Sequence, residues 1–154
     1  SRDKYGHMLV NKSYKVFNKE IKCEKNFWLI KASHDAYSKS NGVVHERQLQ
    51  YFHEYYKLIG CDKLIKTKNF KSCNFELRFH LLPEIKLTKL LNNESIIIEN
   101  NNAGWKFTCK NHNIDIETGL YFGKKNKYVE NKNILVSGLT NSEEQNILWE
   151  ISRV

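Results

Sequence analysis

The chain has 154 residues, which suits a single domain with a core of its own, and 40% of them are hydrophobic and 12% aromatic. These fractions, together with one proline and seven glycines, exclude a disordered, collagen-like or linker-like chain. No apolar run approaches the length of a transmembrane helix, so we expect no membrane insertion. The formal net charge of +8 favours a polyanionic partner, although a solvated surface rich in lysine and asparagine is the simpler explanation.

The N-terminal half carries strand patterns of mixed quality. Residues 27–30 are apolar throughout and predict a buried strand. Residues 42–52 predict a long strand with mixed faces, followed at 53–58 by a hairpin or one helical turn. Residues 58–62 predict another strand, which enters a turn at its end.

In the C-terminal half, apolar and polar residues alternate with a period of two, which is typical of half-buried strands. The strands predicted in this half cover residues 75–81, 85–87, 95–99, 105–109, 114–117, 120–122, 134–136 and 147–151. Residues 126–133 are polar and predict a loop or a strand edge. Many short strands with turns about every eight to twelve residues predict an all-β fold. We expect an antiparallel β-sandwich of many short strands, which spans residues 1–154 as a single domain.

Cysteine and histidine spacing argues against a local metal site. The four cysteines lie too far apart for a Cys-x-x-Cys pair, and we expect them to be reduced thiols: Cys23, Cys61, Cys73 and Cys109. No two histidines have the His-x-x-x-His spacing of a helical zinc site.

The densest polar cluster is Ala-Ser-His-Asp-Ala-Tyr at residues 32–37. Asp35 could orient the imidazole of His34 as a base, but neighbours on a strand point to opposite faces. A turn in which Ser33 and Asp35 bond to their own backbone is the simpler interpretation.

Several segments resemble, in order and spacing, one family of enzymes. They are Lys-Ala-Ser-His-Asp-Ala-Tyr at 31–37, Gly-Val-Val-His-Glu-Arg at 42–47, Arg-Phe-His-Leu-Leu-Pro at 78–83, Gly-Trp-Lys-Phe at 104–107 and Tyr-Phe-Gly at 121–123. Together they resemble the C-terminal β-sandwich region of heparinase II/III-like polysaccharide lyases, and the likeness covers about residues 27–151. Ala36 and Leu82 depart from the family pattern, which usually has Gly and His at these positions.

The resemblance implies a parent enzyme that cleaves uronic-acid-containing polysaccharide by β-elimination. In that family the catalytic Tyr and His residues come from an N-terminal α/α toroid domain and from the toroid-facing side of the sandwich. We therefore expect this chain to be the C-terminal part of a larger lyase, without its toroid partner and inactive in isolation. The expected ligand is an anionic polysaccharide, and the family suggests a bacterial periplasmic or secreted setting.

The resemblance also bears on metals. Family members commonly hold zinc through a His-x-His motif, an Asp and a later His. His7 stands about where that last His would be, but Met8 follows it in place of Asn. We therefore expect no cofactor in the isolated chain, and zinc only in the full-length parent.

The matching segments contain the candidate substrate contacts, which are His45, Arg47, Arg78 and His80. The arginine fork suits a uronate carboxylate because it bonds two oxygens at once. Alternatively, the two arginines pair with glutamates on the sheet surface. A different function, a stand-alone basic module that binds anionic glycan or nucleic acid, stays open, although no nucleic-acid signature is present and we favour glycan. A purely structural domain is a third alternative.

Overall fold

A computed structural model of the chain describes residues 14–100, 103–124, 127–141 and 144–154. Within these ranges the regular structure consists of strands, and no helix is long and apolar enough to cross a membrane. The strands are β1 (Val16–Cys23), β2 (Phe27–His34), β3 (Val43–Phe52), β4 (Lys57–Lys66), β5 (Asn74–His80), β6 (Lys86–Lys89), β7 (Ser95–Asn100), β8 (Ala103–Cys109), β9 (Asn113–Lys124), β10 (Lys127–Leu139) and β11 (Glu144–Arg153).

The strands form two antiparallel sheets of unequal size. The large sheet has eight strands in the order β1-β2-β3-β4-β11-β8-β7-β6, and the small sheet has three in the order β5-β10-β9. The predicted all-β antiparallel sandwich is therefore confirmed. Strand β11 lies at the centre of the large sheet, where it pairs with β4 on one side and β8 on the other.

The hydrophobic core lies between the two sheets. Alternation in β5 buries Phe75 and Leu77 against the large sheet, while the side chains of Glu76 and Arg78 stay outside. Strands β3, β4, β7, β8 and β11 supply the opposite wall, which includes Phe107. No described side chain of β1 or β2 belongs to this core, so these strands extend the large sheet beyond the small one.

Two of the predicted boundaries are wrong for the same reason, which is that polar side chains are buried within strands. Strand β4 continues through Asp62 to Lys66, although a turn was predicted at Asp62. Strand β10 covers most of the segment predicted as a loop or a strand edge, and it lies at the centre of the small sheet. Asn131 and Asn133 are buried there, and the Asn131 amide donates to the carbonyl of Leu81. Their bonding partners come from other strands and loops, so the local sequence pattern does not show that they are buried.

Candidate functional site

A buried carboxylate organises the start of β3 and the end of β4. Asp62 has no exposed surface, and its two oxygens accept hydrogen bonds from three side chains. His45 Nε2 lies 2.6 Å and Arg47 Nε 2.7 Å from Oδ1. Arg47 Nη2 and Trp149 Nε1 reach Oδ2 at 3.1 and 2.8 Å. The carboxylate is therefore fully satisfied, as a buried charge must be.

Strand register brings these residues together. Arg47 of β3 lies directly opposite Asp62 of β4, and His45 is two residues from Arg47 on the same face. Gly60, also on this face, leaves room for the indole of Trp149, because a Cβ there would lie 2.1 Å from the ring. The Arg47 guanidinium also lies over the Phe79 ring, 5.7 Å from its centroid.

A second histidine continues the hydrogen-bonded chain toward the surface. His34, opposite His45 in the β2–β3 register, places its Nε2 3.0 Å from His45 Nδ1. The backbone N–H of Ala36 donates to His34 Nδ1 at 3.4 Å, so the His34 proton belongs on Nε2. His34 Nε2–H then donates to His45 Nδ1, and His45 Nε2–H donates to Asp62. This one set of tautomers gives every ring nitrogen of His34 and His45 a hydrogen-bond partner.

The electrostatics favour a charged Asp62 and a neutral His34. Burial by itself would raise the pKa of Asp62, but the hydrogen bonds from His45, Arg47 and Trp149 and the charge of Arg47 lower it below its ordinary value. The pKa of His34 is lowered, first by burial and then by electrostatic interaction with His45 and Arg47, against the opposing effect of Asp35.

Asp35 does not orient His34 through a hydrogen bond. Its Oδ1 accepts instead from the backbone N–H of Lys15 at 2.7 Å, while its carbonyl accepts from the N–H of Ser38. Ser33 donates to Glu46 Oε2 at 2.9 Å. The predicted turn is thus present after His34, but the side chains of Asp35 and Ser33 bond to other segments and not to their own backbone.

A cavity of about 340 Å³ lies beside the hydrogen-bonded histidines, at the end of the sandwich where β3 and β5 begin. Its walls bring together the two sheets, with His45 from the large sheet and Arg78 from the small one. The remaining lining residues mix polar and apolar side chains: Tyr37, Asn41, Val43, Leu64, Cys73, Asn74, Phe75, Glu76, Leu77 and Thr140. The arrangement offers a concave surface with several hydrogen-bonding groups.

The two candidates on the small sheet are held by neighbours. Arg78 contacts Glu76 at 2.6 Å and Glu117 at 2.7 Å, and these bonds raise the pKa of its guanidinium. His80 Nδ1 lies 3.1 Å from Asn133 Oδ1. Arg78 therefore makes the surface pairing with glutamates that the sequence left open.

Four predicted site residues thus fall into two groups. His45 and Arg47 join one cluster with Asp62, whereas Arg78 and His80 lie on the small sheet. His7 lies outside the described residues. Within the described ranges no group of three or more histidine, cysteine or acidic side chains could hold a metal.

Sequence reasoning missed Asp62, Trp149 and the role of His34. Asp62 and Trp149 are 87 residues apart in the chain, and their contact depends on a strand order that local patterns do not specify. The hydrophobic period of β4 offered one signal, because Asp62 occupies an inward position between Gly60 and Leu64.

Comparison with known proteins agrees with this fold. The family model described as "Heparinase II/III-like, C-terminal" matches residues 2–150. The structure is similar to the heparan sulfate lyase HepC from Pedobacter heparinus, with a TM-score of 0.78 and 11% identity over 90% of this chain and 22% of that chain. It is also similar to heparinase III, the BT4657 gene product, with a TM-score of 0.74 and 12% identity over 91% of this chain and 22% of that chain. Among curated proteins no sequence matches.

The chain therefore spans 22% of the length of these solved structures. At identities of 11% and 12% the structural likeness shows the fold, and the match to the family model shows the family. Because that match covers nearly all of the sequence, this chain belongs to the heparinase II/III-like C-terminal domain family.

Proposed function

We propose that this domain forms one wall of the substrate cleft in a polysaccharide lyase that cleaves uronic-acid-containing polysaccharide by β-elimination. The observation that carries the proposal is the cavity beside His45 and Arg78, in a domain of a lyase family. The domain would pack on a catalytic toroid elsewhere in the parent protein. HepC is a heparan sulfate lyase, so heparan sulfate is the first polymer to test.

β-Elimination requires a base that removes the C5 proton and a group that stabilises the charge on the uronate. In this proposal the base belongs to the toroid, and the sandwich holds and orients the sugar chain beside it. No step of the proposal uses a metal.

Among the candidate contacts, Arg78 is the cation best placed to meet a carboxylate. Its side chain is 40% exposed, and Arg78 is one of the residues that line the cavity, whereas Arg47 is engaged by the buried Asp62. Glu76 and Glu117 hold the Arg78 guanidinium in place and also compete for it, so a uronate has to displace one of them. His45 lines the same cavity and is held by Asp62.

The test is made in the full-length parent protein. Lyase product is followed by the ultraviolet absorbance of the unsaturated uronate, with heparan sulfate and alginate as alternative substrates. Arg78→Gln should lower kcat/KM about tenfold or more, because a charge-assisted hydrogen bond to the substrate is lost. Arg153→Gln is the matched control, since Arg153 contacts Tyr56 in the turn at the other end of β3.

Each outcome has a separate meaning. Unchanged kcat/KM in Arg78→Gln would refute the cleft contact. A parent protein that releases no unsaturated product from any uronate polymer would refute the lyase assignment. Arg47 is unsuitable for this experiment, because its removal leaves the buried Asp62 without its cation and destabilises the fold.

A further inference from the structure

Three aromatic rings lie close together at the surface, where the row of hydrogen bonds from Asp62 through His45 ends at His34. The ring of Tyr14 lies 5.7 Å and that of Tyr37 5.4 Å from the imidazole of His34, measured between centroids. Both tyrosines are largely exposed, at 59% and 51%. We call these three residues the ring platform.

The backbone around the ring platform is fixed by hydrogen bonds. The carbonyl of Tyr37 accepts from the N–H groups of Asn41 at 2.9 Å and Val43 at 3.4 Å. Lys15, which follows Tyr14, donates its N–H to Asp35 and accepts from the N–H of Asp35. The segment that carries Tyr14 and the turn that carries Tyr37 are therefore joined by hydrogen bonds, which lowers the entropy cost of binding a ligand there.

The imidazole of His34, the central ring of the platform, is fixed by hydrogen bonds on its buried side. His34 donates to His45, which donates to the buried Asp62, so the imidazole has one orientation. The lowered pKa of His34 keeps this ring uncharged at neutral pH. The rings of Tyr14 and Tyr37 are tilted by 58° and 59° to this imidazole, so the ring platform presents uncharged aromatic faces at an angle to one another.

The ring platform is continuous with the cavity of the proposed cleft, because Tyr37 and His45 both line it. Asn41 and Asn74 line the same cavity and offer amide groups to hydroxyls. An apolar ring surface beside planar amides matches a pyranose, which has apolar C–H faces and a polar hydroxyl edge.

We propose that the ring platform of Tyr14, His34 and Tyr37 is a sugar-stacking subsite that binds the face of one pyranose ring of the polysaccharide. The inference rests on the proposed function for the identity of the polymer. It assigns a role to two tyrosines and one histidine outside the candidate contacts. Recognition here is by stacking, in contrast to the ionic contact proposed for Arg78.

The experiment measures binding to this chain by calorimetry, with a heparan sulfate tetrasaccharide and with cellotetraose as an uncharged probe. Tyr37→Ala and Tyr14→Ala should each weaken binding of both probes about tenfold, at the lower end of the loss seen when an aromatic ring that stacks on a nucleic-acid base is removed. Tyr37→Phe keeps the ring and should bind within about twofold of the original chain. Tyr55→Ala, an exposed tyrosine in the turn at the other end of β3, should also leave affinity unchanged.

Thermal unfolding of each variant verifies that the fold is retained. Stacking also predicts that the effect of Tyr37→Ala persists at high salt, where ionic contacts are screened. If neither probe binds, or if both alanine variants bind like the original chain, the subsite is refuted even where the parent enzyme shows full lyase activity. Binding that depends on Tyr37 in a parent without lyase activity would support the subsite and refute the proposed function.

Discussion

Asp62→Asn tests whether the buried carboxylate holds the site together. The substitution keeps the shape of the side chain but replaces one acceptor oxygen with an N–H₂ donor. Three neighbouring side chains donate to this group, so at least one donor must then face another donor. The Arg47 guanidinium also loses its counter-ion.

The cost can be worked from these contacts. Removing one partner of a buried ion pair costs about 3–5 kcal/mol, and a buried donor left without an acceptor costs about 1–3 kcal/mol. Arg47 is 38% exposed, so water relieves part of its lost pairing. We therefore expect a loss of about 3 kcal/mol in the free energy of unfolding, which corresponds to roughly 6–12 °C in Tm for a domain of this size.

Denaturant unfolding followed by tryptophan fluorescence measures this loss, because Trp149 is buried and bonded to Asp62. Asp115→Asn is the matched control at a side chain that is 75% exposed, and it should change stability by less than about 0.5 kcal/mol. The pH dependence gives a second readout. The pKa of Asp62 is lowered from 3.8, so its contribution is present above pH 3.8 and is lost as pH falls through the folded-state pKa. The variant should lack that part of the acid unfolding, and a variant as stable as the original chain would refute the reasoning.

Three further predictions concern Gly60, Cys109 and His34. Gly60→Ala should lower the free energy of unfolding by about 1–3 kcal/mol in denaturant unfolding, because the new methyl group overlaps the buried indole of Trp149. Gly104→Ala is the control, because its methyl group would make only ordinary contacts and should leave stability unchanged. Equal effects of the two substitutions would contradict this explanation. Burial raises the pKa of the Cys109 thiol to about 11, so iodoacetamide at mildly alkaline pH should label the exposed Cys23 before Cys109. Mass spectrometry follows the labelling, and equal rates at the two cysteines would contradict the burial of Cys109. In an NMR titration the imidazole of His34 should show a pKa below its ordinary value of 6.5. Its contribution to the free energy of unfolding is then present above pH 6.5 and is lost as pH falls through the lowered pKa. A pKa above 6.5 would contradict this prediction.

The sequence predicted the parts of the fold that follow a simple period. Strand β5 is an example, because Phe75 and Leu77 alternate with exposed polar residues and both are buried as expected. The predicted strand at residues 42–52 also agrees with β3. Asp62 and Asn131 were judged wrongly because a polar residue normally indicates exposure. Their burial depends on partners elsewhere in the fold, such as Arg47 of β3 for Asp62 and the carbonyl of Leu81 after β5 for Asn131.

In the candidate site too, some residues could be predicted from local sequence and others could not. His45 and Arg47 were recognised from the order of short motifs, and they do share one face of one strand. Asp62 is 15 residues from Arg47 and was not among the candidates. The function of a site residue can thus be indicated by a local motif, while the group that orients it depends on the tertiary fold.

The central position of β11 has a consequence for how the domain folds. Among the described strands, β1 to β4 and β6 to β8 form two hairpin-connected halves, and β11 joins them within the large sheet. Every pairing in that junction is between residues far apart in the chain, such as Leu64 with Gln145. Contacts of this kind close long loops and slow the folding reaction, so we expect the two halves to form before β11 pairs with both of them. Trp149 belongs to β11, so on this expectation the buried Asp62 carboxylate gains its indole donor only when β11 pairs with β4.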